Sequence, residues 1–179
     1  MAKAFNLQLI EAVKAKNPET ASNLTVEDVD FGAVEAHSGS GGRNTKITLT
    51  AKKKQSANFT GAKEFHYIRL ASQDLIGAKS YEQEGGLDLE NSVIVAKLNE
   101  EMVTKGYTDD AFAEGELTID KTDGDSGAKV YTVKVNEAHI KFLAGTIATF
   151  TYSNPAPKKV ALSGLEGCLL YTSDAADDS

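Results

Sequence analysis

The sequence predicts an α+β fold made of two tandem small modules, each with one short helix and about three mostly antiparallel strands. Three observations support this prediction. Apolar residues recur at helical spacing in two segments, apolar and polar residues alternate in several others, and the second set of elements repeats the order of the first. We expect the first module at residues 1–70, a linker at 71–87, the second module at 88–154 and a C-terminal extension at 155–167.

The first predicted helix covers about residues 4 to 16. Its apolar positions Phe5, Leu9 and Val13 recur every four residues and therefore lie on one face of a helix. We expect the helix to end at Asn17, because the residue before a proline avoids helical backbone angles.

The second predicted helix shows the same spacing at Ile94, Leu98 and Met102. Asp88 is expected to cap its N-terminus, where a side-chain oxygen accepts a free backbone N–H. Gly106 is expected to end the helix, because glycine readily adopts the left-handed conformation that follows many helices.

Two matched segments predict the central strands. Ile47, Leu49 and Ala51 alternate with polar residues, and Tyr131, Val133 and Val135 do the same 84 positions later. This alternation is typical of strands with one buried face and one face in water. Further strands are expected at 62–70 and 146–152, each after a glycine that both copies share, Gly61 and Gly145.

The two copies differ in the length of one loop. Residues 24–34 match residues 107–117 at an offset of 83, whereas the helices match at an offset of 89. We therefore expect about six extra residues in the first copy (89 − 83 = 6), around residues 17–23. A repeat of this size indicates a domain duplication rather than solenoid turns. The alternative is that two unrelated α+β units share the spacing.

Acidic residues outnumber basic ones by 26 to 19, and the formal net charge is −7. This balance counts against general binding to nucleic-acid phosphates, which needs a positively charged surface. No stretch approaches the roughly 20 apolar residues of a membrane span. Glu11 and Lys14 interrupt any apolar core of a signal peptide. We expect synthesis in the cytoplasm without a signal peptide, and no nucleic-acid or membrane partner.

Residues 168–179 resemble the translated reverse complement of a common transposase sequencing adapter, and we exclude them from the fold. Their removal takes away the only cysteine and three aspartates, so the net charge changes from −7 to −4. Without a cysteine there is no disulfide and no thiolate metal site. The tail implies a metagenomic source and makes two module copies a lower bound.

No residue pattern predicts a catalytic, cofactor-binding or metal site. The three histidines, His37, His66 and His139, lie in separate segments without the spacing of metal ligands. The acidic segment 120–127 departs from the EF-hand pattern and is expected to be a hairpin loop. Segment 38–43 is glycine-rich but precedes a strand, whereas a phosphate-binding loop opens a helix. The basic run 52–54 is expected to be a solvated turn, with an acidic partner as the alternative.

Three short sequence segments follow one another in the first module. They are Asn44-Thr45-Lys46-Ile47-Thr48-Leu49-Thr50-Ala51, then Phe59-Thr60-Gly61, then Tyr67-Ile68-Arg69-Leu70. Together they resemble a domain of virion structural proteins from large tailed bacteriophages. Ile68 stands where that family has an asparagine, and the second copy keeps Gly145 and Tyr152 but lacks the arginine.

The resemblance implies a non-enzymatic structural or decoration component of a tailed-phage particle. Its expected partners are other virion structural proteins and further copies of itself, and its expected location is the virion. The alternative is a host-surface or carbohydrate-binding module displayed on a virion or a cell. The absence of tryptophan counts against that alternative, because aromatic platforms commonly bind sugars. An enzyme is the third option, and no catalytic pattern supports it.

Overall fold

The computed structural model describes residues 2–53, 56 and 58–157. The predicted extension from 158 onward and the adapter tail at 168–179 lie outside this part of the chain. The described residues form two helices and two small sheets, which confirms the predicted α+β class. No helix among them combines the length and the apolar character needed to cross a membrane.

The first half contains one helix and four strands. These are α1 (Phe5–Lys16), β1 (Val29–Phe31), β2 (Glu35–Ala36), β3 (Thr45–Ala51) and β4 (Ala62–Tyr67). β3 is central: β1 and β2 pair with successive parts of one edge, and β4 pairs with the other edge, all antiparallel. Ile47 and Leu49 are buried as their alternation predicts, and Leu49 packs in one cluster with Ile10 and Val13 of α1.

The second half adds one helix and four strands. These are β5 (Gly77–Glu82), α2 (Asn91–Thr104), β6 (Leu117–Asp123), β7 (Lys129–Val135) and β8 (Gly145–Ser153). The sheet order is β5-β8-β7-β6, in which β5 runs parallel to β8 and the other pairs are antiparallel. Tyr131, Val133 and Val135 point into this core, in agreement with their alternation.

Both halves repeat one order: a helix, a 3₁₀ turn and an antiparallel meander. The turns are Val26–Asp28 and Glu114–Glu116, an offset of 88 (114 − 26). In each turn the last acidic side chain accepts the N–H of the residue before the turn, at 2.9 Å from Asp28 to Thr25 and 2.7 Å from Glu116 to Ala113. The central strands β3 and β7 begin at an offset of 84 (129 − 45). The extra residues of the first copy therefore lie between β1 and β3, and their predicted position around 17–23 is wrong.

The segment 71–87, expected as a linker, carries β5 and belongs to the second sheet. Ile76, directly before β5, and Leu87, at the end of the segment, are buried in the second core. Its inward positions include a glycine and a lysine, so the strand shows no apolar alternation in the sequence.

The ends of α2 agree only in part with the sequence. The helix begins after Glu90 without any side-chain cap, and Asp88 instead forms an ion pair with Lys121. The predicted cap is therefore wrong. Gly106 does end the helix: its φ is +94°, and the N–H groups of Gly106 and Tyr107 donate to carbonyls of the last turn at 2.9 Å each. This is the Schellman arrangement, which needs a left-handed residue at that position.

The N-terminal half of α1 packs on the second module. The ring of Phe5 contacts the rings of Phe112, His139 and Phe142, with centroid distances of 5.3, 4.4 and 6.0 Å. Beside them lies the carboxylate of Asp110, which is only 2% exposed. It accepts hydrogen bonds from Gln8 Nε2 at 3.0 Å and Lys141 Nζ at 2.5 Å. These contacts hold the two modules together in place of a flexible connection. We call the contact region between the modules the joint.

Arg69 holds the other side of this joint. Its Nη1 donates to the carbonyls of Glu137 at 2.8 Å and His139 at 3.1 Å, and its Nε donates to Thr45 Oγ1 at 2.9 Å. Asn44 fixes the backbone of Arg69, since its Oδ1 accepts the Arg69 N–H at 2.8 Å and its Nδ2 donates to the Arg69 carbonyl at 3.0 Å. The first and last of the three sequence segments that carry the family resemblance thus contact each other at the joint.

His139 is neutral inside the joint. Its Nδ1 accepts the backbone N–H groups of Lys141 at 3.1 Å and Phe142 at 3.0 Å, so the proton resides on Nε2. Nε2 is buried and has no partner among the described residues. Burial, together with the charge of Arg69, lowers the pKa of His139 to about 4.

Replacing Arg69 with methionine should lower the free energy of unfolding by about 2 kcal/mol, because carbonyls of the joint, of which that of His139 is partly buried, lose a charged donor. Urea unfolding followed by circular dichroism measures this change. Arg43→Met is the matched control: Arg43 is exposed and makes one long contact of 3.4 Å, so its loss should cost under about 0.5 kcal/mol. Equal costs for the two variants would show that Arg69 does not secure the joint.

The chain should lose stability in acid through His139. The pKa is lower in the folded than in the unfolded state, so the unfolded chain binds the proton first, and stability falls as pH decreases from about 6.5 to about 4. The loss is at most about 3 kcal/mol. His139→Gln should remove this part of the pH dependence, whereas His37→Gln should retain it. Parallel pH curves for wild type and His139→Gln, measured by urea unfolding, would contradict the assignment.

Candidate binding surface

The outer edge of β4 has no strand partner among the described residues. The carbonyls of Gly61 and Tyr67 accept N–H groups on the β3 side, from Ala51 at 2.9 Å and Asn44 at 3.2 Å. In an antiparallel pair the backbone groups alternate between the two edges. The N–H and C=O groups of Ala62, Glu64 and His66 therefore point away from β3. Such a row of free backbone groups can bind another strand.

In the second module, β5 occupies the equivalent edge. Two backbone hydrogen bonds flank β5. The N–H of Ile76 donates to the carbonyl of Ile147 at 3.0 Å, and the N–H of Gln83 donates to the carbonyl of Ser153 at 2.9 Å. Between these bonds β5 and β8 pair in parallel, with Tyr81 opposite Tyr152. The second module thus has a further strand beyond β8, whereas the first module has none beyond β4 among the described residues.

Side chains beside this edge differ in burial between the modules. Thr45 pairs with Tyr67 in the first sheet as Lys129 pairs with Tyr152 in the second, so Phe65 corresponds to Phe150. Phe150 is 0% exposed and lies 5.9 Å from the ring of Tyr81, whereas Phe65 is only partly buried. No strand supplies a counterpart of Tyr81 to the first module among the described residues.

Two cavities lie between α1 and β4, and we call them together the β4 seam. One, of about 270 Å³, is bounded by Val13, Leu24, Leu49, Phe59 and Phe65. The other, of about 180 Å³, is bounded by Phe5, Leu9, Tyr67 and Ile68. Ile68 is 55% exposed beside the second cavity. The β4 seam is therefore a pair of mainly apolar cavities beside a strand edge that has no strand partner among the described residues.

The polar groups around the equivalent space in the second module are satisfied by β5. Glu101 of α2 accepts the hydroxyl of Tyr81 at 2.8 Å and forms an ion pair with Lys79 at 3.0 Å. The hydrogen bond from Tyr81, with the lysine, lowers the pKa of Glu101. In the β4 seam, by contrast, the hydroxyl of Tyr67 is buried without a partner among the described residues, and burial raises its pKa.

The rim of the β4 seam carries more basic than acidic side chains: three lysines lie on it, against Glu19, which lies between the lining residues Asn17 and Thr20. Lys14 and Lys16 lie in the last turn of α1, next to the lining residues Val13 and Asn17, and Lys63 lies on β4. None of these three lysines forms an ion pair with an acidic group in the described part of the chain. A ligand with acidic residues would therefore be favoured at this rim.

The histidines singled out in the sequence do not converge. His37 and His66 stack at 3.9 Å on the outer face of the first sheet, where Glu64 lies 2.7 Å from His66, while His139 lies in the joint. The described residues hold no group of three or more His, Cys, Asp or Glu side chains placed to bind a metal.

The other candidate segments are turns. Residues 120–127 span the end of β6 and the Asp125–Gly127 turn into β7, which is the predicted hairpin. Residues 38–43 include the Ser40–Gly42 turn before β3. In the basic run, Lys52 lies 4.0 Å from Asp30, while Lys54 is outside the described residues. The sequence did not indicate the β4 seam, because no residue pattern shows which strand edge stays without a partner.

Comparison with known proteins gives one match. A family described as "Family of unknown function (DUF7941)" matches residues 1–102, which cover the first module, β5 and most of α2. No curated protein and no solved structure matches the chain.

Truncating the equivalent phenylalanines should have unequal effects. Phe150→Ala should cost about 4 kcal/mol because it leaves a cavity in a closed core. Phe65→Ala should cost about 1 kcal/mol, since that ring already borders open space. Urea unfolding of the two variants measures both values. Equal costs would show that the first core is as closed as the second and that the β4 seam is filled.

Proposed function

The chain belongs to this family of unknown function, and we propose that it is a non-enzymatic structural or decoration component of a tailed-phage particle that binds other virion proteins. The observation that carries the proposal is the β4 seam with its free strand edge. Among the described residues the first module has no counterpart of β5, so its β4 edge presents backbone donors and acceptors together with apolar surface, and both are satisfied by association with another chain.

The way the resembling residues are used also supports a structural role. Asn44, Thr45 and Arg69 form the hydrogen-bond network that joins the two modules. Leu70 continues this joint, since its N–H donates to the carbonyl of Lys141 at 2.9 Å and its carbonyl accepts the N–H of Leu143 at 2.8 Å. The shared phrases therefore maintain a fixed geometry between modules, a property suited to a component of an ordered assembly.

The joint and the β4 seam are coupled through α1. Phe5 anchors the helix in the second core, while Val13 and Asn17 at its other end line the seam. The helix thus holds one wall of the seam at a fixed distance from the second module. A binding groove with a rigid wall loses little conformational entropy on association.

The proposal is tested on purified phage particles. Particles from a host that carries this sequence should contain tryptic peptides of the chain at a constant ratio to the major structural proteins, as measured by quantitative mass spectrometry. Particles banded twice in a density gradient exclude soluble contaminants, and a phage-encoded cytoplasmic enzyme serves as the negative control. Detection only in the infected-cell lysate would overturn the proposal.

A further inference from the structure

We infer that the β4 seam binds an extended segment of another structural protein, which adds to the free edge of β4 as a parallel strand in the position that β5 takes on β8. The inference rests on the proposed function for the nature of the partner, and it adds the mode of binding. The second module supplies the template, because it contains the same meander with the additional strand in place.

The backbone geometry of the template carries over to the first module. Ile147 and Ser153 of β8 accept the hydrogen bonds of the β5 segment through carbonyls that point away from β7. The equivalent outward positions of β4 are Ala62, Glu64 and His66. An added strand would therefore find donors and acceptors at the alternate spacing that a parallel pair requires.

The side-chain requirements follow from Tyr81. Its ring lies 5.9 Å from Phe150 and 5.2 Å from Tyr152, and its hydroxyl donates to α2. At the equivalent place in the first module, Phe65 lines one cavity and Tyr67 lines the other, and the buried Tyr67 hydroxyl lacks a partner among the described residues. The bound segment therefore carries an aromatic residue opposite Tyr67, whose ring inserts between α1 and β4.

The charge of the segment follows from the rim. Lys14, Lys16 and Lys63 form no ion pairs with described acidic groups, so a segment with net negative charge is favoured. The segment of this chain that includes β5 has this character: residues 74–84 contain Asp74, Glu82 and Glu84 against the single lysine Lys79. A peptide with the sequence of residues 74–84 is therefore a suitable probe for the seam.

The test uses the full chain and this synthetic peptide, labelled with a fluorophore. Fluorescence anisotropy should show saturable binding that weakens at high salt, because the rim contacts are exposed. A peptide with alanine in place of Tyr81 should bind about tenfold more weakly, as expected for loss of a central aromatic residue. Absence of binding by the unaltered peptide would overturn the inference.

Amide hydrogen exchange followed by NMR identifies the binding edge. Saturating peptide should slow exchange of the outward N–H groups of Glu64 and His66 by about tenfold or more, while those of Lys63 and Phe65 are already bonded to β3. The amides of β8 should be unchanged if the peptide does not displace β5. Protection elsewhere, with Glu64 and His66 unaffected, would overturn the inference.

A variant provides an independent check. His66→Pro removes an outward N–H without removing a bond to β3 and should weaken peptide binding about tenfold or more. Lys121→Pro is the matched control, because Lys121 has an outward N–H on β6, the edge strand of the other sheet. If His66→Pro does not fold, the exchange measurement on the unaltered chain decides. A chain present in particles that fails to bind the peptide would retain the proposed function and exclude strand addition.

Discussion

The parallel pairing of β5 with β8 is the interaction on which the rest of the structure depends. It completes the second sheet, places Tyr81 against Phe150, and brings the chain from the end of the first module into the core of the second. In sequence, β5 lies between β4 of the first sheet and α2 of the second module. Because it pairs with β8, the segment that connects the two modules is itself part of the second sheet, and the modules are inseparable. A parallel pair needs a long crossover connection, and the segment that contains α2, β6 and β7 provides it.

The joint between the modules follows from the same path of the chain. After β4 ends at Tyr67, Arg69 and Leu70 run beside residues 137–143 before the chain reaches β5. Arg69 satisfies carbonyls of that loop, and Asp110 with Lys141 ties the loop to α1. A buried carboxylate such as that of Asp110 is stable only when it is paired and hydrogen-bonded. Polar interactions therefore fix the angle between two modules whose apolar cores are largely separate.

The sequence predicted the fold wherever apolar periodicity dominates. Ile47 and Leu49 alternate cleanly in β3, and Leu98 and Met102 recur at helical spacing in α2, because these elements bury one regular face. It missed β5, whose inward positions Gly77, Lys79 and Tyr81 bury little apolar surface apart from one ring. It also placed the extra loop wrongly. The matched segments align Thr25 with Thr108 at an offset of 83 (108 − 25), whereas the 3₁₀ turns begin at an offset of 88 (114 − 26). The β4 seam could not be predicted, since it depends on β4 having no second strand partner among the described residues.

The parallel direction of the template decides what kind of assembly the free edge permits. Two copies related by a two-fold axis across β4 would bring identical edges together antiparallel, so a self-complementary pair does not reproduce the β5 arrangement. A parallel partner must come from a different surface or a different chain. The resulting contact is heterologous, because it joins two different surfaces. It therefore has a direction, like the order of the two modules within this chain. Heterologous contacts close into rings or extend as helical arrays, the two geometries from which repeated particle lattices are built.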